Sequence, residues 1–180
     1  MKRIIILAIA TLLISTATMA TPSEQYRAKS KSKIEKYLQK LPIDAAEGIN
    51  YSYISANMLK SIFSFISNIA DDSPLSSKAL TETIGSIRYV KKFEASTAAG
   101  YSTLKEKAMP LLACDDETMG MNLLSTNSKD KETTIVYGNK ENTLIIINNG
   151  ETNKMTLTFI AGLSMEKLGS LGDAGINLNF

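Results

Sequence analysis

The stretch TTIVYGNKENTLIIINNGETNKMTLTFIAGL, residues 133–163, carries the clearest structural pattern in the chain. It contains three runs rich in apolar and β-branched residues, at 133–137, 143–147 and 155–161. Segments rich in Gly and Asn separate the runs and favour turns. In the last run Met155, Leu157 and Phe159 alternate with threonines, which indicates one buried face and one face that bears mainly Thr. The stretch therefore predicts an antiparallel meander of three strands.

Helices and further strands are predicted around this meander. Apolar residues at three- and four-residue spacing predict three main helices, at 23–41, 56–70 and 97–113, and a short helix at 165–171. The helix at 56–70 has the broadest apolar stripe, so we expect it to be the most deeply buried. Additional strands are predicted at 49–54, 84–94 and 121–125. The fold class expected is α+β: a mostly antiparallel sheet of five to six strands with three main helices packed chiefly on one face.

The first 20 residues have the three parts of a secretory signal peptide. Residues 2 and 3 are basic, residues 4–14 are apolar, and residues 15–20 are mostly small. The apolar run of 11 residues is too short for a membrane-spanning helix, which needs ~20. Cleavage could follow Ala17, but the small residues suit cleavage between Ala20 and Thr21 better. We therefore expect export to the periplasm or the exterior, with residues 21–180 as a single domain without a transmembrane span.

Charge and residue usage exclude several classes of function. The chain has 20 basic and 18 acidic residues, and loss of Lys2 and Arg3 with the leader leaves 18 of each. A mature chain of zero formal net charge gives no electrostatic basis for binding nucleic acid. The chain has no His, which removes the commonest metal ligand and general base. No glycine-rich phosphate or dinucleotide loop is present, and no cofactor is expected.

Two kinds of residue are candidates for chemistry. Cys114 is the only cysteine, so no internal disulfide can form. As a nucleophile it would need a cationic setting, but three carboxylates follow it, and a structural thiol is the better interpretation. The acidic clusters at 71–72 and 115–117 could hold a hard cation, but neither has the spacing of a calcium loop. We interpret them as solvated loop carboxylates and expect no metal site.

A basic stripe on the first predicted helix is the candidate binding surface. It consists of four lysines at helical spacing: Lys29, Lys33, Lys36 and Lys40. Such a stripe could bind an anionic lipid or polysaccharide surface if the helix were exposed. The alternative is a solvated helix face opposite a packed one, which is the usual arrangement and the favoured interpretation here.

Several apolar motifs carry a resemblance to a known family. They are a strand that begins after Gly48 and runs into an apolar helix with Met58-Leu59, then Ile87-Arg88, then Tyr101 with Leu104, and finally Phe159-Ile160-Ala161-Gly162. In this pattern the chain resembles the small exported bacterial proteins grouped as domain of unknown function 4252. The resemblance spans most of the chain after the leader. It implies export and supplies no catalytic residues.

The function expected is non-catalytic binding or interaction in the cell envelope, with an unknown envelope protein or an anionic surface as partner. This hypothesis follows from the missing bases, nucleophiles and cofactor cradles. One alternative is a hydrolase that uses carboxylates alone, which would need two acids in one concave pocket. Another is a surface-binding protein that acts through the basic N-terminal helix.

Overall fold

The computed structural model describes residues 32–41, 48–69, 78–112 and 119–173. Within these ranges five helices and six strands follow one another. In chain order they are α1 (Lys33–Leu38), β1 (Ile49–Ser55), α2 (Ala56–Ile69), α3 (Lys78–Ser86), β2 (Tyr89–Ala95), α4 (Ala98–Leu112), β3 (Asn122–Lys129), β4 (Glu132–Gly138), β5 (Asn142–Asn149), β6 (Lys154–Ala161) and α5 (Met165–Asp173). No helix in the described ranges is long and apolar enough to cross a membrane.

The six strands form one sheet in the order β1-β2-β6-β5-β4-β3, and every neighbouring pair is antiparallel. The predicted meander is confirmed as β4, β5 and β6, which pair in sequence order. Two earlier strands complete the sheet on the β6 side, and β3 completes it on the β4 side. An antiparallel sheet with helices between its strands is the α+β class that the sequence predicts.

The alternation in β6 sets the two faces of the sheet. Residues directly opposite in an antiparallel pair point to the same side, and Leu157 lies opposite Phe93 of β2 and Ile146 of β5. All three are buried in one large cluster, the main core, together with Phe159. Thr158 points to the opposite face and is only half-buried, so the predicted register of the strand is confirmed.

Helices lie on both faces of the sheet. The main core is covered by α1 and α4, whose buried residues include Ile34, Leu104 and Leu111. A smaller cluster on the opposite face, built on Ile54, Val90, Ile160 and Leu163, receives side chains from α2 and α5. Two of the three predicted main helices, α1 and α4, thus share one face, and α2 is the one that lies on the other.

The expected deep burial of the helix at 56–70 is wrong for the side chains that the structure describes. None of residues 56–63 is buried, and Met58 is 36% exposed. The helix begins directly after β1, where the Ala56 amide donates to the Arg88 carbonyl at 3.1 Å. This short connection holds α2 over the small cluster, and α4 becomes the main helical partner of the sheet. An apolar stripe indicates that a helix has a packing face, but not how much core that face meets.

Two strand boundaries differ from the predicted ones. The strand predicted at 84–94 begins only at Tyr89, because residues up to Ser86 belong to α3. The last strand before the meander continues to Lys129 rather than ending at 125. Asp130 and Lys131 have φ of 49° and 68°, which closes a two-residue type I′ hairpin turn. Residues 126–129 have no β-branched run of their own, so their extended form depends on pairing with β4.

Candidate binding sites

Strand β3 forms one edge of the sheet. Among the described residues it pairs only with β4, and seven of its eight residues are exposed, Leu124 being the half-buried one. No residue of β3 belongs to the main core or to the smaller cluster. Six of its side chains are polar, and Leu123 is 58% exposed. At the other edge of the sheet, β1 buries Ile49 and Ile54, so the two edges differ in exposure.

A second feature, which we name the basic cleft, lies where β6 ends and α5 begins. Its volume is about 340 Å³, and it is open to solvent. Four charged side chains line it: Arg88, Lys140, Glu141 and Lys167. They come from the segment before β2, the β4–β5 turn and the first turns of α5. The cleft therefore brings together three cations that are far apart in sequence.

Backbone hydrogen bonds fix the walls of the basic cleft. The Arg88 amide donates to the Ala161 carbonyl at 2.7 Å, and the Gly162 amide donates to the Glu141 carbonyl at 2.9 Å. The single proton of Ser86 Oγ is shared between the Gly162 carbonyl, at 2.9 Å, and the Thr83 carbonyl. Gly162 has φ of +93°, and a Cβ there would overlap the Ser86 carbonyl oxygen. The segment between β6 and α5 can thus approach α3 this closely only with glycine at position 162.

A side-chain hydrogen bond orients Arg88 within the cleft. Its Nη2 donates to Asn142 Oδ1 at 3.1 Å, and the same oxygen accepts from the Gly162 amide at 3.4 Å. Asn142 is 1% exposed. The buried side-chain amide of Asn142 thus fixes one terminal nitrogen of the exposed Arg88 side chain.

The buried acid in the described part of the chain is Glu35. It completes a capping box with Ser32 at the start of α1, where the Ser32 amide donates to Glu35 Oε2 at 2.8 Å. Tyr89 Oη donates to its other oxygen. Burial raises the pKa of Glu35, but the hydrogen bonds from Tyr89 and Ser32 outweigh burial and leave the pKa below its ordinary value. Glu35 is therefore a structural carboxylate that joins α1 to the sheet.

The sequence-predicted site residues fall into two groups. Lys33, Lys36 and Lys40 are exposed, while Ile34 and Leu38 on the other side of α1 are buried. This part of the predicted stripe is therefore at the surface. The remaining predicted positions lie outside the described residues: Lys29, the cleavage site at Ala20 and Thr21, Cys114 and both acidic clusters. Among the residues that the structure describes, no group of three or more Cys, Asp or Glu could hold a metal ion.

Sequence reasoning missed the basic cleft. Arg88, Lys140 and Lys167 share no motif or spacing, and each lies in a segment of mixed polar composition. Only the strand pairing of β2 with β6, and of β6 with β5, places the three segments side by side. The one sequence feature that indicates close packing here is Gly162, directly after an apolar strand. A glycine has no Cβ, so it allows two backbone segments to come close together.

In the part of the chain that the structure describes, these features define a small α+β protein with an antiparallel sheet, an exposed strand edge and a basic cleft. Residues 46–171 match the family described as Domain of unknown function (DUF4252), and the chain belongs to this family. The match includes every described element except α1 and the last two residues of α5. Searches of curated proteins and of solved structures gave no match.

Proposed function

We propose that this chain is exported to the cell envelope and acts there as a non-catalytic binding protein, which engages an extended segment of a partner protein at the edge of β3. The leader sequence supports export. The observation that carries the binding proposal is the exposure of β3, with seven of eight residues exposed at the end of the sheet. The outer backbone groups of an edge strand can pair with an added strand.

The β3–β4 turn indicates which backbone groups are available. A two-residue hairpin turn makes its flanking residues, Lys129 and Glu132, a hydrogen-bonded pair, and such pairs alternate with non-hydrogen-bonded ones along the ladder. Thr126 and Ser128 lie opposite Ile135 and Thr133 at the alternate positions. Their N–H and C=O groups therefore point away from β4, towards an incoming strand.

The composition of β3 favours a different protein as partner over a second copy of this chain. Stable homodimer interfaces are more apolar than the rest of the surface. Six of the eight β3 side chains are polar, and Leu123 is its one exposed large apolar residue. Strand addition gains affinity mainly from backbone hydrogen bonds, so a polar strand suits reversible binding of an extended segment.

The lowered pKa and the hydrogen bonds of Glu35 support a non-catalytic role for the protein. A carboxyl that acts as a general acid near neutral pH needs a raised pKa. Glu35 has a lowered one, and its oxygens are bonded to Ser32 and Tyr89. Glu94, on the opposite face, forms an ion pair with Lys92 at 2.5 Å. Both carboxylates are thus occupied in structural contacts.

Amide hydrogen exchange on the purified chain, alone and with its envelope partner, tests whether the partner binds along β3. We expect the amides of Thr126 and Ser128 to exchange quickly in the free protein and to become protected when the partner binds. The amide of Asn127, which pairs with Thr134 of β4, should be protected in both states. Protection that appears elsewhere and leaves β3 unchanged would refute β3 as the docking strand.

Two substitutions at one position provide the matched control. Thr126→Pro removes an outward N–H and is tolerated at a sheet edge, so it should abolish partner capture while leaving the thermal unfolding temperature almost unchanged. Thr126→Val keeps the N–H and should preserve capture.

Panels of glycoside, ester, peptide and phosphate substrates test the non-catalytic claim. Turnover that disappears on Glu35→Gln would exclude it.

A further inference from the structure

We propose that the basic cleft binds the phosphate group of a phosphate monoester, at a site separate from the β3 edge. The cleft is lined by three cationic side chains and one acidic one, which gives a formal charge of +2. A phosphate monoester carries about −1.5 to −2 at pH 7. The charge of the group and the charge of the cleft are therefore nearly equal and opposite.

The two lysines of the cleft form no ion pair within the described part of the chain. Lys140 and Lys167 take part in none of the ion pairs there. Arg88 donates to a neutral amide, and its charge also acts on Glu35, whose pKa it helps to lower. Three like charges around one cleft repel one another, and the positive charge in excess over Glu141 attracts anions. A bound dianion would relieve this repulsion.

Arg88 is held in place for such a contact. Asn142 Oδ1 takes one of its N–H donors, and guanidinium has five. Four donors remain for a ligand, and Arg binds phosphate through paired N–H groups. Asn142 Nδ2 is buried without a partner in the described residues, a state that normally costs stability. Asn142 is thus better explained as a positioning residue for Arg88 than as a stabilising one.

The number of cations and the openness of the cleft favour phosphate over a carboxylate. Three cations can contact three terminal oxygens of a phosphate monoester, whereas a carboxylate offers two oxygens and one charge. The volume of about 340 Å³ holds a phosphate with a small attached group. Because the cleft opens to solvent, the phosphate could belong to a soluble monoester or to a lipid headgroup.

The test is a titration with inorganic phosphate at constant ionic strength, followed by backbone amide NMR. We expect saturable shifts at Lys140, Glu141, Gly162 and Lys167. The double variant Lys140→Gln/Lys167→Gln should weaken binding about tenfold, because one exposed and one half-buried charge contact are lost. Lys129→Gln/Lys154→Gln removes the same charge from exposed positions outside the cleft and should change affinity less than about twofold. Glu141→Gln should strengthen binding.

Three outcomes would overturn the proposal: no saturable shifts, equal losses in the two double variants, or weaker binding in Glu141→Gln. Vesicles of phosphatidylcholine with and without phosphatidic acid distinguish the source of the phosphate. Sedimentation with the phosphatidic acid vesicles that disappears in Lys140→Gln/Lys167→Gln, but not in the control, would identify a lipid headgroup. Binding of inorganic phosphate without vesicle binding would identify a soluble monoester.

Discussion

Phe159 shows how one residue anchors the main core. It is 1% exposed, and its ring centroid lies 6.2 Å from that of Tyr89. Phe159→Ala should lower the free energy of unfolding by about 3–5 kcal/mol, because the cavity left by an aromatic ring in a packed core does not collapse fully. Thr158→Ala, on the half-buried opposite face, should cost less than about 1 kcal/mol. Denaturant unfolding measures both, and equal losses would contradict the register of β6.

Glu35 should make stability dependent on pH in the acid range. Its pKa in the folded protein lies below the ordinary value, which is ~4.3 in unfolded chains. The carboxylate therefore stabilises the fold above that pH, and the contribution is lost as the pH falls through the folded pKa. The free energy of unfolding should fall less steeply below about pH 5 in Glu35→Gln than in the parent. Glu106→Gln, at an exposed position, is the control and should keep the parent slope.

The sequence predicts the role of Phe159 but not that of Glu35. A two-residue alternation assigns Phe159 to one face of a strand without knowledge of the rest of the fold. The bond from Tyr89 to Glu35 joins residues separated by 54 positions. No local pattern reports such a pairing, because it exists only after α1 has packed against β2.

The connection between β6 and α5 depends on glycine at one position. Gly162→Ala should destabilise the protein by about 1–3 kcal/mol or more, since alanine rarely adopts φ of +93° and its Cβ would overlap Ser86. Gly169→Ala in α5 should instead be neutral or stabilise by up to about 1 kcal/mol, because that position is open and helical. Gly162→Ala should therefore lower the thermal unfolding temperature, whereas Gly169→Ala should leave it unchanged or raise it. A loss with Gly169→Ala equal to that with Gly162→Ala would contradict this account.

Helices and strands whose own residues show a periodic apolar pattern can be predicted from the sequence. The meander strands, β1 and α4 follow from local patterns of apolar residues, and their bounds differ from the prediction by one or two residues. The apolar residues Ile87, Tyr89 and Phe93 predict a strand from residue 84, but residues 84–86 are the end of α3. Ser86 Oγ lies 2.6 Å from the Thr83 carbonyl oxygen in the same helical turn. The placement of α2 on the second face depended on contacts that no single segment encodes.

Cleavage of the leader determines where the mature protein begins. We expect the exported protein to begin at Thr21, because cleavage after Ala20 places small residues at the positions that a signal peptidase recognises. Mass spectrometry of the protein from the envelope fraction measures this directly. Ala20→Arg should block cleavage and leave residues 1–20 attached. Membrane-bound parent protein that keeps the intact leader would contradict both cleavage and export in soluble form.

The position of β2 beside β6 has a consequence for how the chain folds. Strands β3 to β6 are joined by short turns, whereas the β2–β6 pair brings residues such as Lys92 and Thr158 together across α4 and three strands. Closing a long loop costs more entropy than closing a hairpin, so we expect the meander to form the folding nucleus and β1 and β2, which are themselves joined through α2 and α3, to dock afterwards. In stopped-flow refolding, Ile146→Val should slow folding, while Val90→Ala should mainly accelerate unfolding. The reverse pattern would place the nucleus in the β1–β2 pair.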